Sequence, residues 1–286
     1  MKLDKKRTLR IIKASLKEDI GAGDITTVNT VPKLDSIKAS IVTNEDCIIC
    51  GVDIAEWIIN TIDFSVRFKP QCEDGQRVYE GKEVLFLEGH AQAILSAERT
   101  MLNFLSFLSG IATKVNRYAE KVKKYNVEIY DTRKTLPLLR YLEKYAVSIG
   151  GGHNHRLGLW DQVLVKENHI KVAKIREYKN LINKIRKNIT KNIKIEIEVE
   201  NLEQFKAVLK ENPDIIMLDN MNTEDVKKAV LLKEKTASKQ KPILEASGGI
   251  DLDNVEEYAK TGIDRISIGS ITDSLESVDM SLNIIF

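Results

Sequence analysis

The chain has 286 residues, 43% hydrophobic and 30% charged, and its 44 basic and 42 acidic residues leave a net charge of +2. That balance describes a globular protein of one large or two modest domains and speaks against a nucleic-acid binder, which would carry a basic face or tail. The basic start MKLDKKRTLRIIK lacks the apolar core of a signal peptide, the longest uncharged run (Thr100 to Thr113) is too short to span a membrane, and an odd set of cysteines (Cys47, Cys50, Cys72) without a targeting segment points to reduced thiols in the cytoplasm.

Residues 3–18 read as an amphipathic helix with Leu9, Ile12 and Leu16 on one face. A Gly-punctuated loop, Glu18 to Thr27, follows. From Ile37 to His90 the pattern changes to short β-rich runs, IKASIVT, SVRFKP and EVLFLEG, separated by turn signals at Asn44, Glu73 and Glu80. A short helix, about 51–60, interrupts them. Cys47 and Cys50 form a C-x-x-C, half of a zinc site by spacing. No second Cys or His pair stands at ligand spacing and CIIC lies in an apolar run, so we read them as core residues. These segments predict a small α+β domain over 1–110, to which 271–286 would return.

Residues 94–124 carry an apolar stripe, Met101, Leu105, Leu108, Ala112, Val115, Ala119 and Val122, at alternating spacings of four and three. Burial inside the domain and packing against a second subunit satisfy it equally. Gly110 is placed to kink or break this helix. From Val127 on, strands alternate with helices: VEIYD and a helix over 138–147, VLVK and a helix through about 188, IKIEIEV and a helix capped by Asn201 with Gln204 as in a capping box. IIMLD with a helix over 223–235 capped by Thr223, ILEAS with a helix after Asp253, and RISIG complete the series. Repeated β-then-α units predict parallel strands with right-handed crossovers, closed as an α/β barrel over 111–270.

In such barrels chemistry gathers at the C-terminal ends of strands. Those ends carry Thr132, Arg133 and Lys134, then Lys166, then Glu198 and Glu200, then Asp219, then Ser247, Gly248 and Gly249, and last Ser267 and Gly269. Across 131–169 the cations Arg133, Lys134, Arg140, Lys144, Arg156 and Lys166, with His153, His155 and His169 and the run Gly150–Gly152, suit a pocket for a small, multiply charged anion. Arg140, Glu143 and Lys144 also fit one exposed helix face. Glu196, Glu198 and Glu200 alternate, so all three point one way. Salt bridges to neighbouring strands or a metal–diphosphate would offset them. The late Gly pairs fit either ordinary turns or a phosphate site.

Four of these motifs resemble the quinolinate phosphoribosyltransferase family: DTRKT from Asp131, LEKYAV from Leu142, GGGHNHR from Gly150 and KENH from Lys166, with further matches from Glu18 to Gly269. The resemblance implies a type II phosphoribosyltransferase-like barrel with a smaller N-terminal α+β domain. It implies transfer from phosphoribosyl pyrophosphate to quinolinate with decarboxylation, giving nicotinate mononucleotide, pyrophosphate and CO₂. Arg99, Arg133, His155, Arg156 and Lys166 would meet the two carboxylates. Mg²⁺ on Glu198 and Asp219, with Lys134, would neutralise the leaving group, and Ser247, Gly248, Gly249, Ser267 and Gly269 would hold the 5′-phosphate. Arg99 would come from the partner in a homodimer or higher oligomer. Leu138, where the family often has Gly, and Asp273, where His is usual, depart from the pattern. A paralogue associated with molybdenum uptake shares the general signature but matches these motifs less well. Two other classes compete. A Schiff-base barrel lyase using Lys166 would be trapped by borohydride, and a non-catalytic phosphate-binding protein would release no pyrophosphate.

Overall fold

The computed structural model describes residues 1–174, 178–190, 192–236, 241–274 and 276–285. The chain divides into two compact units. One comprises Met1–Asn116, Thr135–Gly151 and Ile271–Phe286, and the other Arg117–Lys134 and Gly152–Ser270.

The first unit opens on α1 (Lys5–Ile20), where the Asp4 carboxylate accepts from Arg7 N at 2.8 Å and Thr8, Ile12 and Leu16 are buried. The expected Gly-rich loop contains a further short helix, α2 (Ile25–Thr30), because Asp24 caps it by accepting from Thr27 N. Then come β1 (Ser36–Thr43), β2 (Cys47–Ile48), α3 (Val52–Ile62), β3 (Arg67–Pro70), β4 (Arg77–Val78) and β5 (Glu83–His90). Gly75 and Gly81 take positive φ in the turns between them. All three cysteines are buried free thiols.

Next is α4 (Ala91–Val122), which runs unbroken through Gly110. Gly110 is there for close packing and makes no kink: a Cβ on it would lie 2.0 Å from the Glu276 carbonyl oxygen. After β6 (Glu128–Tyr130), α5 (Arg140–Ile149) rejoins the first unit. Here the exposed-face reading of Arg140, Glu143 and Lys144 fails. Glu143 and Lys144 are both fully buried, and Glu143 Oε1 accepts from Leu136 N at 2.9 Å. Charge spacing alone cannot tell a solvated helix face from a buried one whose charges are satisfied locally.

The second unit continues with β7 (Val163–Val165), α6 (Glu167–Val172), α7 (Tyr178–Asn188), β8 (Ile195–Val199), α8 (Leu202–Leu209), β9 (Ile215–Asp219) and α9 (Thr223–Glu234). Then follow β10 (Ile243–Ser247), α10 (Val255–Ala259) and β11 (Arg265–Ser267), and the chain passes to the first unit after Ser270, with α11 (Ser270–Asp273) and β12 (Met280–Ile285). Part of the helix expected after VLVK, residues 175–177, lies outside the described residues. Asn201 caps α8 as expected, whereas Gln204 reaches back to Glu200 N. The cap of α9 is Asn222, which accepts from Asp225 N, rather than Thr223.

In the first unit β12-β1-β5-β3 form an antiparallel sheet, with β12 against β1. In the second, parallel strands run in the order β6-β11-β10-β9-β8-β7. Each strand after β7 adds beside its predecessor, and β11 returns to pair with β6. Right-handed crossovers that always step the same way put the connecting helices on one face. The other face is covered only if the sheet curls on itself, and β8 is buried at every position from Ile195 to Val199. The result is an α/β barrel with its seam between β6 and β7. His153 lies along that seam: its N–H donates to Ile129 O at 2.7 Å and its carbonyl accepts from Asp131 N at 3.1 Å.

Candidate active site

Strand register sets the inward face. Glu198 stands beside Met217, Ser247 beside Asp219, and Ser247 beside Ser267. Arg265 and Glu245 are likewise neighbours one layer deeper. Side-chain contacts sort the polar residues into an outer layer, Lys166, Glu198 and Asp219, and an inner layer, His155, Glu196, Glu245 and Arg265.

In the outer layer Lys166 forms an ion pair with Glu198, whose carboxylate is largely buried. The backbone N–H of Lys166 donates to His169 Nδ1 at 2.9 Å, so His169 fixes the start of α6 and with it the lysine. Burial, and then the charge of Glu198, raise the Asp219 carboxyl above its usual range, while Lys166 acts in the opposite direction. Two carboxylates that push on each other at adjacent strand ends are a fit for a divalent cation that keeps water and substrate oxygens as its remaining ligands. Asp219 Oδ2 accepts from Asn220 Nδ2 at 2.8 Å, and Asn220 N donates to Ser247 O at 2.8 Å.

Gly248 and Gly249 both take positive φ, 89° and 62°. A Cβ at 248 would sit 2.3 Å from Asn220 Oδ1, whereas one at 249 would meet nothing within 4 Å. Gly248 is thus needed for the turn and for Asn220, and Gly249 leaves open space in front of the backbone. Gly150 and Gly151, expected to serve an anion pocket, have structural reasons of their own. A Cβ at 150 would lie 2.4 Å from Ala112 O on α4, and Gly151 has φ 90°.

The Arg156 guanidinium is half-buried, and burial followed by the nearby Arg133 charge lowers its pKa. Two guanidiniums close enough to repel each other mark a place where an anion would be stabilising. Thr132 Oγ1 accepts from Lys134 N at 3.1 Å, which shapes the turn that carries Arg133 and Lys134 out of β6. Arg99 lies exposed on α4 in the first unit.

His155 belongs to the inner layer. Its backbone N–H donates to the fully buried Asp131 Oδ1 at 2.8 Å. Its Nδ1 accepts from Arg156 N at 2.7 Å, so the ring proton is on Nε2. Nε2 lies 3.0 Å from Glu196 Oε2 and 3.6 Å from Glu245 Oε1. Arg265 completes the ring, with Nη2 3.5 Å from Glu196 Oε1 and Nε paired with Glu245. Burial raises both carboxyls to about 7; Arg265 opposes the rise, and for Glu245 the charge of Glu196 adds to it. Burial also opposes the Arg265 charge, but the two carboxylates outweigh it and its pKa is raised. The three alternating acids Glu196, Glu198 and Glu200 therefore part ways. Glu196 makes the buried salt bridges, Glu198 meets Lys166, and Glu200 is exposed. Glu245, Arg265 and Gln162 escaped the sequence reading. The available signal was a charged residue at an inward position of an otherwise apolar strand, as in ILEAS and RIS.

Fold and site together define an α/β barrel that gathers cations and acids at its strand ends beside open glycine backbone. The quinolinate phosphoribosyl transferase N-terminal domain matches residues 24–109, and the C-terminal domain of the same enzymes matches residues 111–283. A probable nicotinate-nucleotide pyrophosphorylase [carboxylating] of Methanocaldococcus jannaschii is 44% identical over 281 residues, covering 97% of each chain. The nicotinate-nucleotide pyrophosphorylase [carboxylating] of Mycobacterium leprae is 40% identical over 96% of this chain and 95% of its own. The solved nicotinate-nucleotide pyrophosphorylase of Francisella tularensis superposes with a TM-score of 0.93 at 38% identity, over 99% of this chain and 98% of that one. The chain belongs to the quinolinate phosphoribosyltransferase family.

Proposed function

We propose that the protein transfers the phosphoribosyl group of phosphoribosyl pyrophosphate to quinolinate with decarboxylation, in NAD biosynthesis. The observation that carries this reading is the Arg133–Arg156 pair of neighbouring guanidiniums in the same barrel as the Lys166–Glu198–Asp219 group. Quinolinate bears two adjacent carboxylates, and the guanidinium fork binds carboxylate through two parallel hydrogen bonds.

The ring nitrogen donates its lone pair to C1 of the ribose as the C1–O bond to pyrophosphate breaks. The nitrogen becomes positive, which stabilises the electron pair left on C2 when the C2–carboxylate bond breaks and CO₂ leaves. A proton then replaces CO₂ at C2, giving nicotinate mononucleotide. Arg133, Arg156 and Lys166 orient the dicarboxylate, and Lys134 offsets charge on the leaving group. Glu198 and Asp219 would hold Mg²⁺, which would supply further charge neutralisation for pyrophosphate. Ser247, Gly248, Gly249, Ser267 and Gly269 receive the 5′-phosphate, Gly249 leaving its backbone approachable. We assign catalysis to the barrel over 111–270. Arg99 enters the site of a partner subunit in a homodimer. Buried free thiols support a cytoplasmic location, and among the described residues no helix is long and apolar enough to cross a membrane.

The test is a product assay with Mg²⁺ and phosphoribosyl pyrophosphate, with quinolinate or nicotinate in separate reactions. Nicotinate mononucleotide and CO₂ form from quinolinate only; equal turnover of nicotinate defeats the assignment.

A further inference from the structure

Arg156 is held at two points. Its backbone N–H donates to His155 Nδ1 at 2.7 Å, and its Nη1 donates to the backbone carbonyl of Gln162 at 3.3 Å. Both holders lean on one carboxylate. Glu196 Oε2 stands 3.0 Å from the protonated Nε2 of His155 and also accepts from the Gln162 side-chain amide. Moving the ring proton to Nδ1 would present a proton to the Arg156 N–H and a lone pair to Glu196, losing both interactions. Glu196 is itself fixed from behind by Arg265, which shares its charge with Glu245. His155, Glu196, Glu245 and Arg265 are all at least nine-tenths buried, so water does not compete for these partners.

We propose that Glu196 is a positioning residue for substrate recognition, fixing through His155 and Gln162 where Arg156 presents its guanidinium. Glu196 thereby governs affinity for the pyridine dicarboxylate and leaves the phosphoribosyl donor largely unaffected. This rests on the reading of Arg156 as a carboxylate ligand. The chemistry asks for a carboxylate at 196. A Gln there has the same shape but only one acceptor oxygen, and its amide adds a donor facing two donors.

The test is calorimetric binding of quinolinate, and separately of Mg²⁺-phosphoribosyl pyrophosphate, to the full-length protein. The variants are Glu196→Gln, Gln162→Met, Arg156→Lys and the double variant Glu196→Gln/Arg156→Lys. Gln162→Met keeps the backbone carbonyl that Arg156 uses and removes only the amide held by Glu196; it decides the matter if Glu196→Gln does not fold. Glu196→Gln should weaken quinolinate binding about tenfold or more, the scale of a hydrogen bond to a charged group, with donor binding within about twofold. Gln162→Met should shift it the same way by less. Because Glu196 acts through Arg156, the double variant should bind quinolinate no more than about twofold worse than Arg156→Lys alone. Equal weakening of both ligands, no change in either, or fully multiplicative effects in the double variant would overturn the proposal. Normal quinolinate binding by Arg156→Lys would instead remove the carboxylate-ligand reading beneath it.

Discussion

Replacing Arg265 with Met tests whether the inner layer is a true charge ring. Arg265 is 5% exposed and is the strong cation between two fully buried carboxylates, Glu196 and Glu245. Removing one partner of a buried ionic group leaves the others uncompensated, at a cost of about 3–5 kcal/mol. Met fills much of the space but also gives up the guanidinium over the Tyr130 ring, 4.6 Å from its centroid, a contact worth roughly 1 kcal/mol. The cost depends on pH, and its sign follows from the raised carboxyls. Both start from an ordinary value of 4.5 and stand at about 7 in the folded chain. A raised folded pKa means stability that is full below the unfolded value and lost as pH rises through the folded one. In the wild type that loss ends near pH 7. Without Arg265 both carboxyls rise further, so the loss continues above pH 7 at up to about 1.4 kcal/mol per pH unit for each group. Urea unfolding at pH 6, 7 and 8 reads this directly. The Arg265→Met deficit should be largest at pH 8 and distinctly smaller at pH 6. A deficit under about 1 kcal/mol, or one equal at pH 6 and pH 8, would refute a buried ring of charges.

Gly110→Ala should destabilise although Ala favours helix by about 1 kcal/mol, because overpacking against backbone costs about 1–3 kcal/mol or more. The added Cβ would meet Glu276 O at 2.0 Å, and a raised denaturation midpoint would contradict the close approach. Leu138 holds φ at 68° with 90% of its surface exposed. Leu138→Gly should stabilise by roughly 0.5–1 kcal/mol, the left-handed penalty of about 1–2 less the added entropy of Gly; a lowered midpoint would deny the strain. Arg99→Ala and Lys166→Ala should each be inactive alone and recover up to about a quarter of wild-type activity when co-refolded, since half the dimers would carry one intact site. Mixed dimers that form and stay inactive would place Arg99 outside the partner's site.

The barrel was legible because its strands announce themselves: VEIYD, VLVK, IKIEIEV, IIMLD and ILEAS are short β-rich runs, each followed by a helix-like stretch, and RISIG closes the series. The strand-end residues Lys166, Glu198 and Asp219 were legible for the same reason, since the end of an apolar run is visible in one dimension. What was hidden depends on a third dimension. Gly110 looks like a helix breaker until the chain at Glu276 is found against it. Glu143 and Lys144 look like a solvated pair until α5 is seen to be buried from Tyr141 to Val147. Short helices such as α2 were missed because one capping aspartate, Asp24, decides them, and a Gly-rich loop masks it.

Glu196 and Glu198 show where the line between the two kinds of knowledge falls. They are two residues apart on β8, share a face and carry the same functional group, so no local property separates them. Barrel depth does. Glu198 stands at the layer where Lys166 reaches from β7 and Asp219 from β9. Glu196 stands one layer deeper, where its neighbours across the barrel are His155, Glu245 and Arg265 and burial forces every charge to find a protein partner. The same functional group thus pairs with Lys166 in one layer and with His155 and Arg265 in the next. On the proposed reading, the outer layer meets the substrate and the inner layer sets where that contact is offered.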